Sequence, residues 1–308
     1  MTALRNNGTL AVTGGTGFVG QHLLRMALAA GHDVRALTRG RKSPDQEINW
    51  VEGALDRPDS LTELCSGADA VIHIAGLITG TRAQFDAVNV TGTANMIDAA
   101  RKAGVRRFIH ISSLAAREPE ISNYGWSKAR SERLVAASGL DWTVVRPPAV
   151  YGPGDRETLE LFKMAKRGIV ALPPKGRFSL IHVEDLCSLI LALVDQPEAI
   201  SQTYEPDDGR DAGWEHRHFA RTLSRTFGRR ATTISTPKLL MRGVSRLDRL
   251  FRRGNAKLTA DRVNYFCHPD WVVTAKHRPP SSIWTPQVRT PTGLKQTADW
   301  YLAQGWLR

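Results

Sequence analysis

The sequence predicts an α/β fold in which a doubly wound parallel sheet precedes a smaller C-terminal lobe. Over the first 150 residues, short apolar runs alternate with helical patterns, as in parallel sheets that carry helices on both faces. A glycine-rich turn joins the first apolar run to the first helix. The second half departs from this alternation and is strongly basic. At 308 residues, the chain is long enough for one large domain and an additional lobe.

The first strand and helix flank the sequence VTGGTGFVG at residues 12–20. Glycine is needed in such a turn because a side chain would hold a pyrophosphate away from the backbone N–H groups. The following helix then faces the anion with unsatisfied donors and the positive end of its dipole. With Gly20 as its third glycine, this turn predicts a Rossmann-type dinucleotide site. The cofactor contacts expected from the turn are Gly14, Thr16, Gly17, Phe18 and Val19.

The other elements of the first half follow the same alternation. Strands are predicted at 9–13, 33–38, 47–51, 69–75, 106–112 and 141–146, and helices at 18–30, 59–66, 82–103 and 124–138. We assign residues 1–175 to the Rossmann-type domain, with 176–205 returning strands and a helix to it. Residues 206–308 form mainly a basic, substrate-binding lobe.

The end of the second strand selects between nicotinamide cofactors. An acidic residue there would accept hydrogen bonds from a ribose 2′-hydroxyl and repel a 2′-phosphate. Here Thr38 is followed by Arg39, and Arg41 and Lys42 come soon after. A guanidinium pairs with a phosphate through two hydrogen bonds and stacks on adenine. The pattern favours NADP(H), with NAD(H) as the alternative if these cations only face water.

Catalytic side chains are expected after the strand at 106–112. Ser112 and Ser113 end that strand, and Tyr124 and Lys128 lie four residues apart, on one face of a helix. A free tyrosine has a pKa of about 10, and a nearby ammonium favours the phenolate. Tyr124 is therefore expected to exchange a proton with a substrate oxygen that a serine hydroxyl holds.

Composition excludes several classes of protein. The chain is 42% hydrophobic and 23% charged, as ordinary globular domains are, and no apolar run approaches the roughly 20 residues of a membrane span. The N-terminus lacks the apolar core of a signal peptide, so we expect a cytoplasmic protein. Cys65, Cys187 and Cys267 lie far apart and are expected to be reduced, structural thiols.

The net charge of +12 is concentrated in the C-terminal half, where residues 210–262 contain 14 Lys or Arg against 4 Asp or Glu. Within them, 237–253 has the pattern of an amphipathic basic helix. Its simplest interpretation is a helix packed on the lobe with its arginines in water. The alternatives are contact with an anionic membrane surface, an acidic partner or an anionic substrate. Nucleic acid is not expected, since no recognition motif accompanies the charge. His216 and His218 lack a third ligand, so no metal is expected.

Together these motifs resemble the short-chain dehydrogenase/reductase superfamily, in its extended branch that is similar to NAD-dependent epimerases and dehydratases. The resemblance covers roughly residues 9–190 and rests, in order, on TGGTGFVG, VIHIAG, VNVTGT, ISS, YGWSK, VVRPPAVYGPGD and SLIHVEDL. It implies that Tyr124 is the general acid/base and that Lys128 lowers the tyrosine pKa and binds the nicotinamide ribose. It also implies that a serine, Ser113 before Ser112, polarises the substrate oxygen. The cofactor contacts expected outside the glycine turn are Arg39, Leu55, Ala75, Gly76, Asn89, Lys128 and Pro147.

Two positions depart from the family pattern. Where relatives carry Gly-Asp-Leu after the third strand, this chain has Gly53-Ala54-Leu55, so adenine is expected to be contacted by backbone and by Arg39. One residue beyond the Ser-Ser pair, where many extended members have the working hydroxyl, this chain has Leu114. The identity of the working serine is therefore an open point of the sequence.

The expected function is NAD(P)-dependent reduction of a carbonyl, or oxidation of a secondary alcohol, on a small, apolar or lipid-like substrate. The first alternative is a nucleotide-sugar epimerase or dehydratase. It is disfavoured because Arg146-Pro147-Pro148 replaces an Arg-x-Phe-Asn run of such relatives and no acidic pair follows the serines. The second is an NADP-binding structural or assembly protein at a membrane complex. By the same resemblance, helices 82–103 and 124–138 would pair two subunits of a homodimer.

Overall fold

The computed structural model describes residues 7–40, 47–243 and 259–307, with a seven-stranded sheet at its centre. The strands are β1 (Thr9–Thr13), β2 (Asp33–Thr38), β3 (Ile48–Glu52), β4 (Ala70–His73), β5 (Arg107–Ile111), β6 (Asp141–Val145), β7 (Ala149–Tyr151), β8 (Ile169–Leu172), β9 (Arg177–Phe178), β10 (Leu180–His182), β11 (Gln202–Tyr204), β12 (Trp214–Glu215), β13 (Thr232–Ser235) and β14 (Asp270–Trp271). The helices are α1 (Phe18–Ala29), α2 (Pro58–Cys65), α3 (Arg82–Phe85), α4 (Gly92–Lys102), α5 (Asn123–Ala136), α6 (Leu159–Arg167), α7 (Val183–Ala192), α8 (His216–Arg225), α9 (238–243), α10 (Ala260–Phe266) and α11 (Thr290–Ala303). A π-helical segment, Asp86–Thr91, joins α3 to α4.

The central sheet has the strand order β11-β6-β5-β4-β1-β2-β3, and every neighbouring pair is parallel. This is the doubly wound, Rossmann-type arrangement that the sequence predicts. The order reverses between β1 and β4, and open α/β sheets bind ligands beyond the carboxyl ends of their strands at such a point. The glycine turn follows β1 at that place.

The six strands and four helices predicted in the first 150 residues are confirmed to within two residues at each end. β4 is buried along its whole length, which explains its continuous apolar run. The helix predicted at 82–103 differs in one respect, because the π-helical segment widens its middle turn.

Apolar side chains cover both faces of the sheet. On one face, α1 and α7 contribute Leu23 and Leu186 to a buried cluster. On the other, α2 and α4 contribute Leu61 and Met96. Each of these four side chains is fully buried and stabilises the fold by about 1.5–3 kcal/mol. The strand ends that carry the candidate site therefore rest on two packed layers.

Later residues complete this sheet. β11 pairs with β6 in parallel register, and it reaches the sheet through α7, which packs on the same apolar face as α1. The sheet is thus complete only at Tyr204.

The second lobe has a core of its own, to which α6 and β8 belong. Phe162 and Val170 are buried in one cluster with Phe219 of α8 and Tyr301 of α11, and β8 pairs with β13. The boundary predicted at residue 175 therefore falls inside the core of this lobe. The sequence pattern misplaced α6 and β8 because their packing partners lie far along the chain.

The basic segment 237–253 is described only up to residue 243; residues 244–253 lie outside the described part of the chain. Residues 238–243 are helical, but Leu240, expected to pack on the lobe, is mostly exposed. Within the described ranges, no helix is both long enough and apolar enough to cross a membrane.

Candidate active site

Three glycines shape the turn after β1, each for a different steric reason. Gly14 has a φ of 79°, and a Cβ there would lie 2.7 Å from the backbone nitrogen of Ala75 at the end of β4. A Cβ on Gly20 would lie 2.1 Å from the carbonyl oxygen of Gly14, so α1 packs on the turn only without a side chain. A Cβ on Gly17 would meet only that same oxygen, at 3.2 Å. The turn therefore leaves its outer side open to a ligand.

The N-terminus of α1 fits a pyrophosphate. Gly17 is its N-cap residue, no side chain caps the helix, and its first turn has no acidic residue. Backbone N–H groups at such a terminus are ready to bind phosphate oxygens. Thr16 is exposed beside them, Val19 is half-buried, and the Phe18 ring packs edge-on against His22 with centroids 5.7 Å apart.

The carboxyl ends of β2 and β3 provide the expected adenine side. Arg39 is exposed there and forms no ion pair within the described ranges, whereas Arg41 and Lys42 lie outside them. The loop after β3 is held in place because Leu55 packs on Gly92, where a Cβ would lie 2.8 Å from Leu55 Cδ1. A cation and an apolar side chain thus stand at one edge of the sheet.

Asn89, in the π-helical segment, links the end of β4 to α5. Its Oδ1 accepts a hydrogen bond from the Leu77 N–H at 2.7 Å, and its Nδ2 donates to the Leu77 carbonyl at 3.0 Å and to Ser127 Oγ at 2.9 Å. A Cβ on Gly76 would lie 3.1 Å from Asn89 Oδ1 and 3.4 Å from Lys128 Nζ. The segment after β4, which has no side chain at Gly76, therefore lies directly beside α5, the helix with the predicted catalytic residues.

Lys128 is buried at this junction. Its Nζ donates to the carbonyl oxygen of Ile111 at 2.8 Å, the one hydrogen bond of its three donors to a described residue. Burial lowers the pKa of Lys128 to about 8, against a smaller opposing effect of Glu132. A buried ammonium with donors to spare beside Gly76 fits the hydroxyl groups of a nicotinamide ribose.

Burial has the largest effect on the pKa of the Tyr124 phenol. Burial raises its pKa above the ordinary value, and a side-chain hydrogen bond with Ser113 lowers it by less. Desolvation disfavours the phenolate more than the Ser113 hydroxyl favours it, and the lowering of this pKa by Lys128 stays a prediction.

The two candidate serines have different partners. Ser112 Oγ donates to Glu132 Oε1 at 2.5 Å, away from the tyrosine. Ser113 Oγ accepts a hydrogen bond from the Ala115 N–H at 3.2 Å, and its hydroxyl lowers the pKa of Tyr124. Of the two, the structure brings Ser113 together with the tyrosine and Ser112 together with the carboxylate.

A buried ion-pair network behind the serines reaches the second lobe. Arg146 donates to Glu132 at 2.9 and 2.6 Å and pairs with Glu205 at 3.4 Å. Glu205 is fully buried, accepts from the Thr274 N–H at 2.8 Å and lies 3.6 Å from Arg117. The sequence analysis did not identify either glutamate, although Glu132 follows Lys128 at helical spacing.

An apolar cluster beside Tyr124 was also not predicted. The ring of Tyr265 packs on Trp271 with centroids 4.8 Å apart, and Tyr124 packs on the same cluster. The Asp261 carboxylate accepts from the Asn123 N–H at 2.7 Å, which holds α10, the helix of Tyr265, to the start of α5. The second lobe thus places an aromatic side chain next to the predicted catalytic tyrosine.

The loop after β6 borders the other side of the site. The carbonyl oxygen of Pro147 accepts from the Leu114 N–H at 3.0 Å. In the turn after β7, the Pro153 carbonyl is hydrogen-bonded to His22 Nε2 at 2.8 Å, so this turn contacts the first half of α1.

The His-x-His pair serves local packing. His216 Nδ1 lies 2.9 Å from the Pro174 carbonyl oxygen, and the His218 ring packs on Trp214. In the residues that the structure describes, no three His, Cys, Asp or Glu side chains form a group that could hold a metal ion.

Comparison with known proteins adds to this geometry. A profile of the NAD dependent epimerase/dehydratase family matches residues 10–205. The chain is 36% identical to a ceramide reductase from Caulobacter vibrioides over 97% of this chain and 96% of that protein. It is 27% identical to a UDP-glucose 4-epimerase from Vibrio cholerae, over 66% of this chain and 71% of that protein. Among solved structures, MoeE5 in complex with UDP-glucose and NAD aligns with a TM-score of 0.74 at 22% identity, covering 96% of this chain and 99% of that one.

Proposed function

The chain belongs to the NAD-dependent epimerase/dehydratase family of extended short-chain dehydrogenases/reductases, and on this basis we propose that it is an NADP(H)-dependent reductase of a ketone in a lipid-like substrate. The family and the reductases among its relatives give the coarser class, an NAD(P)-dependent oxidoreductase or epimerase that acts on a small molecule. Cofactor preference, direction and substrate class are the parts we propose.

The observation that carries the proposal is the packing of Tyr124 on the apolar cluster that contains Leu114 and Trp271. A reductase needs a proton donor at the carbonyl oxygen, and a tyrosine whose pKa is raised keeps its proton at neutral pH. The Ser113 hydroxyl lies next to it, in a position to hold the same oxygen. Leu114, which stands where many extended relatives have a hydroxyl, is buried in the apolar cluster with Trp271. This cluster favours a substrate with hydrocarbon next to its carbonyl over a sugar.

The roles of the residues follow from these contacts. The nicotinamide, when bound, supplies the hydride for the carbonyl carbon. Tyr124 donates its proton to the carbonyl oxygen, which becomes the product hydroxyl, and Ser113 holds that oxygen. The buried Lys128 ammonium stabilises the phenolate that remains and binds the ribose. Asn89 keeps the end of β4 and α5 at a constant separation through its hydrogen bonds to Leu77 and Ser127.

The substrate class rests on the relative that matches the whole chain. The similarity to the ceramide reductase includes the second lobe, which supplies Tyr265 and Trp271 to the cleft. We therefore propose a long-chain ketone, of the kind that reduction would convert to a ceramide-like alcohol, and propose that residues beyond 206, with α6 and β8, bind its chain. A homodimer paired through α4 and α5 and a cytoplasmic location remain parts of the proposal.

Turnover assays test this function. We expect purified protein with NADPH to reduce a long-chain keto-amide, and Tyr124→Phe to lower kcat by about 10²–10⁴-fold with NADPH affinity unchanged. Trp126→Phe, a change on the same helix with its ring on the outer side against Arg82, is the matched control and should keep activity.

Two outcomes would contradict the proposal. Conversion of UDP-glucose to its epimer with bound NAD, at rates above ketone reduction, would favour the epimerase alternative. Equal ketone reduction by the wild type and Tyr124→Phe would show that Tyr124 is not the proton donor.

A further inference from the structure

β8 and β13 present an aliphatic face to solvent. Ile169 is 54% exposed and Ile234 is 53% exposed, and Ala171, which pairs with Ile234 in register, is exposed as well. Just after β13, Leu239 and Leu240 of α9 are 79% and 58% exposed. Single exposed leucines are common, but large aliphatic side chains on successive elements form a surface that needs an explanation. We call these five residues the aliphatic patch.

The charges that accompany the patch have one sign. From residue 216 to 243 the sequence has no Asp or Glu. Its cations are Arg217, Arg221, Arg225, Arg229, Arg230, Lys238 and Arg242. Arg229, Arg230 and Lys238 are exposed and form no ion pair with a described residue.

The cations lie beside the aliphatic side chains. Arg230 stands two residues before β13, and a Cβ on Gly168, just before β8, would lie 3.5 Å from the Arg230 carbonyl oxygen. Arg167, exposed at the end of α6, precedes the same strand. Lys238 begins α9, next to Leu239. The patch is therefore flanked by positive charge at the start of the strand pair and at the start of α9, and Arg230 and Lys238 there form no ion pair with a residue of the described ranges.

We propose that the aliphatic patch and its flanking cations form a docking surface for an anionic membrane. On such a surface, aliphatic side chains enter the boundary of the acyl chains while Lys and Arg stay near the lipid phosphates. Charge complementarity selects this partner, because a neutral apolar protein surface would leave the cations without counter-charges. A nucleic acid is disfavoured, since the patch offers aliphatic groups instead of the aromatic rings on which bases stack.

The position of the surface suits an enzyme with a lipid-like substrate. Met241 on α9 contacts Cys267 with sulfur atoms 3.7 Å apart, and Arg242 donates to Asn264 of α10 at 3.3 Å. Since α10 also carries Tyr265, one helix separates α9 from the apolar cluster beside Tyr124. The docking surface goes beyond the proposed function, because membrane binding requires neither cofactor nor turnover.

Vesicle sedimentation of the full chain tests the surface. We expect binding to vesicles of phosphatidylglycerol and phosphatidylcholine, and at least tenfold weaker binding to phosphatidylcholine alone. Leu239→Glu should weaken binding to the anionic vesicles about tenfold or more by placing a charge among the acyl chains. Arg230→Glu should weaken it by a similar factor, because each basic residue near the surface contributes about 1 kcal/mol.

Matched controls separate the patch from general charge effects. Leu302→Glu changes another exposed leucine, on α11, and Lys102→Glu reverses an exposed cation at the end of α4; both should bind like the wild type. Circular dichroism and NADPH binding establish that all four variants are folded. Absence of binding to anionic vesicles, equal binding to neutral ones, or equal losses in the controls would overturn the proposal. So would a dimer that Leu239→Glu dissociates, or tighter binding to a DNA duplex than to vesicles. Failure of ketone reduction alone would contradict only the proposed function.

Discussion

Ser112 and Ser113 are adjacent in the chain, yet the Ser113 hydroxyl lowers the pKa of Tyr124, while Ser112 donates to Glu132. Successive side chains of an extended segment point to opposite sides, so one serine faces the cleft and the other the buried network. Removal of the Ser113 hydroxyl should therefore affect catalysis, whereas removal of the Ser112 hydroxyl should affect stability.

Ser113→Ala should lower kcat for ketone reduction by about 10²-fold, because the substrate oxygen loses a hydrogen bond that strengthens in the transition state. Ser112→Ala should keep kcat within a few fold and lower the free energy of unfolding by about 1–3 kcal/mol, because a buried carboxylate loses a donor. Steady-state kinetics and urea unfolding measure the two effects. The same loss of kcat in both variants would show that the assignment of the working serine is wrong.

Arg39→Ala should discriminate between the two nicotinamide cofactors. Loss of a charge-assisted pair with the 2′-phosphate should weaken NADPH binding about 10- to 100-fold and leave NADH binding within about twofold. Fluorescence titration gives both affinities. Arg106→Ala, which removes an exposed arginine just before β5 at the opposite end of the sheet, is the control. NADH binding as tight as NADPH binding in the wild type would contradict the proposed preference.

Because of Lys128, the free energy of unfolding should depend on pH in the alkaline range. Its pKa falls from an ordinary 10.5 to about 8 in the fold, so between these pH values the unfolded chain binds a proton that the folded chain has released. The free energy of unfolding therefore rises with pH in this window. The destabilisation that results from burying the Lys128 ammonium is fully present below pH 8. Relative to Lys128→Met, the wild type should gain up to about 3 kcal/mol across it. Denaturant unfolding at several pH values without cofactor measures the difference, and a difference that does not change with pH would refute it.

Tyr265→Ala should affect the substrate and spare the cofactor. The ring packs between Trp271 and the cluster around Tyr124, so its loss should raise KM for a long-chain ketone about tenfold and leave the Kd of NADPH unchanged. Phe266→Ala, a change at the next, exposed aromatic residue, is the control. A rise in the Kd of NADPH, or an equal effect of Phe266→Ala, would contradict the assignment of Tyr265 to substrate binding.

The nucleotide-binding half could be predicted from the sequence because its signals are local. Strand runs, helix periodicity and the spacing of Gly14, Gly17 and Gly20 are each contained in a few neighbouring residues. The placement of Tyr124 and Lys128 on one face of α5 is also local, since their spacing of four residues on a helix fixes it.

The rest depends on contacts between distant residues. Glu205 meets Arg146 across 59 positions and Thr274 across 69, and nothing at either end signals the other. The burial that raises the pKa of Tyr124 comes partly from Trp271 and Val273 of the second lobe, which lie far along the chain. Leu240 lies in a segment whose apolar residues recur at helical spacing. That pattern does not indicate whether the apolar face of the helix packs on protein or faces solvent.

β11 has a consequence for how the protein is made. As the chain emerges from the ribosome, β1 to β6 can pair early, but the apolar surface for α7 remains bare until residues 183–192 have emerged, and β6 remains an open edge until residues 202–204 have emerged. Such edges and surfaces are where nascent chains aggregate. Maturation of the nucleotide-binding half thus has to wait for a stretch of chain that is synthesised only after α6 and β8 of the second lobe. Stalled or truncated products that end between β6 and β11 would be clients of chaperones rather than small, working nucleotide binders.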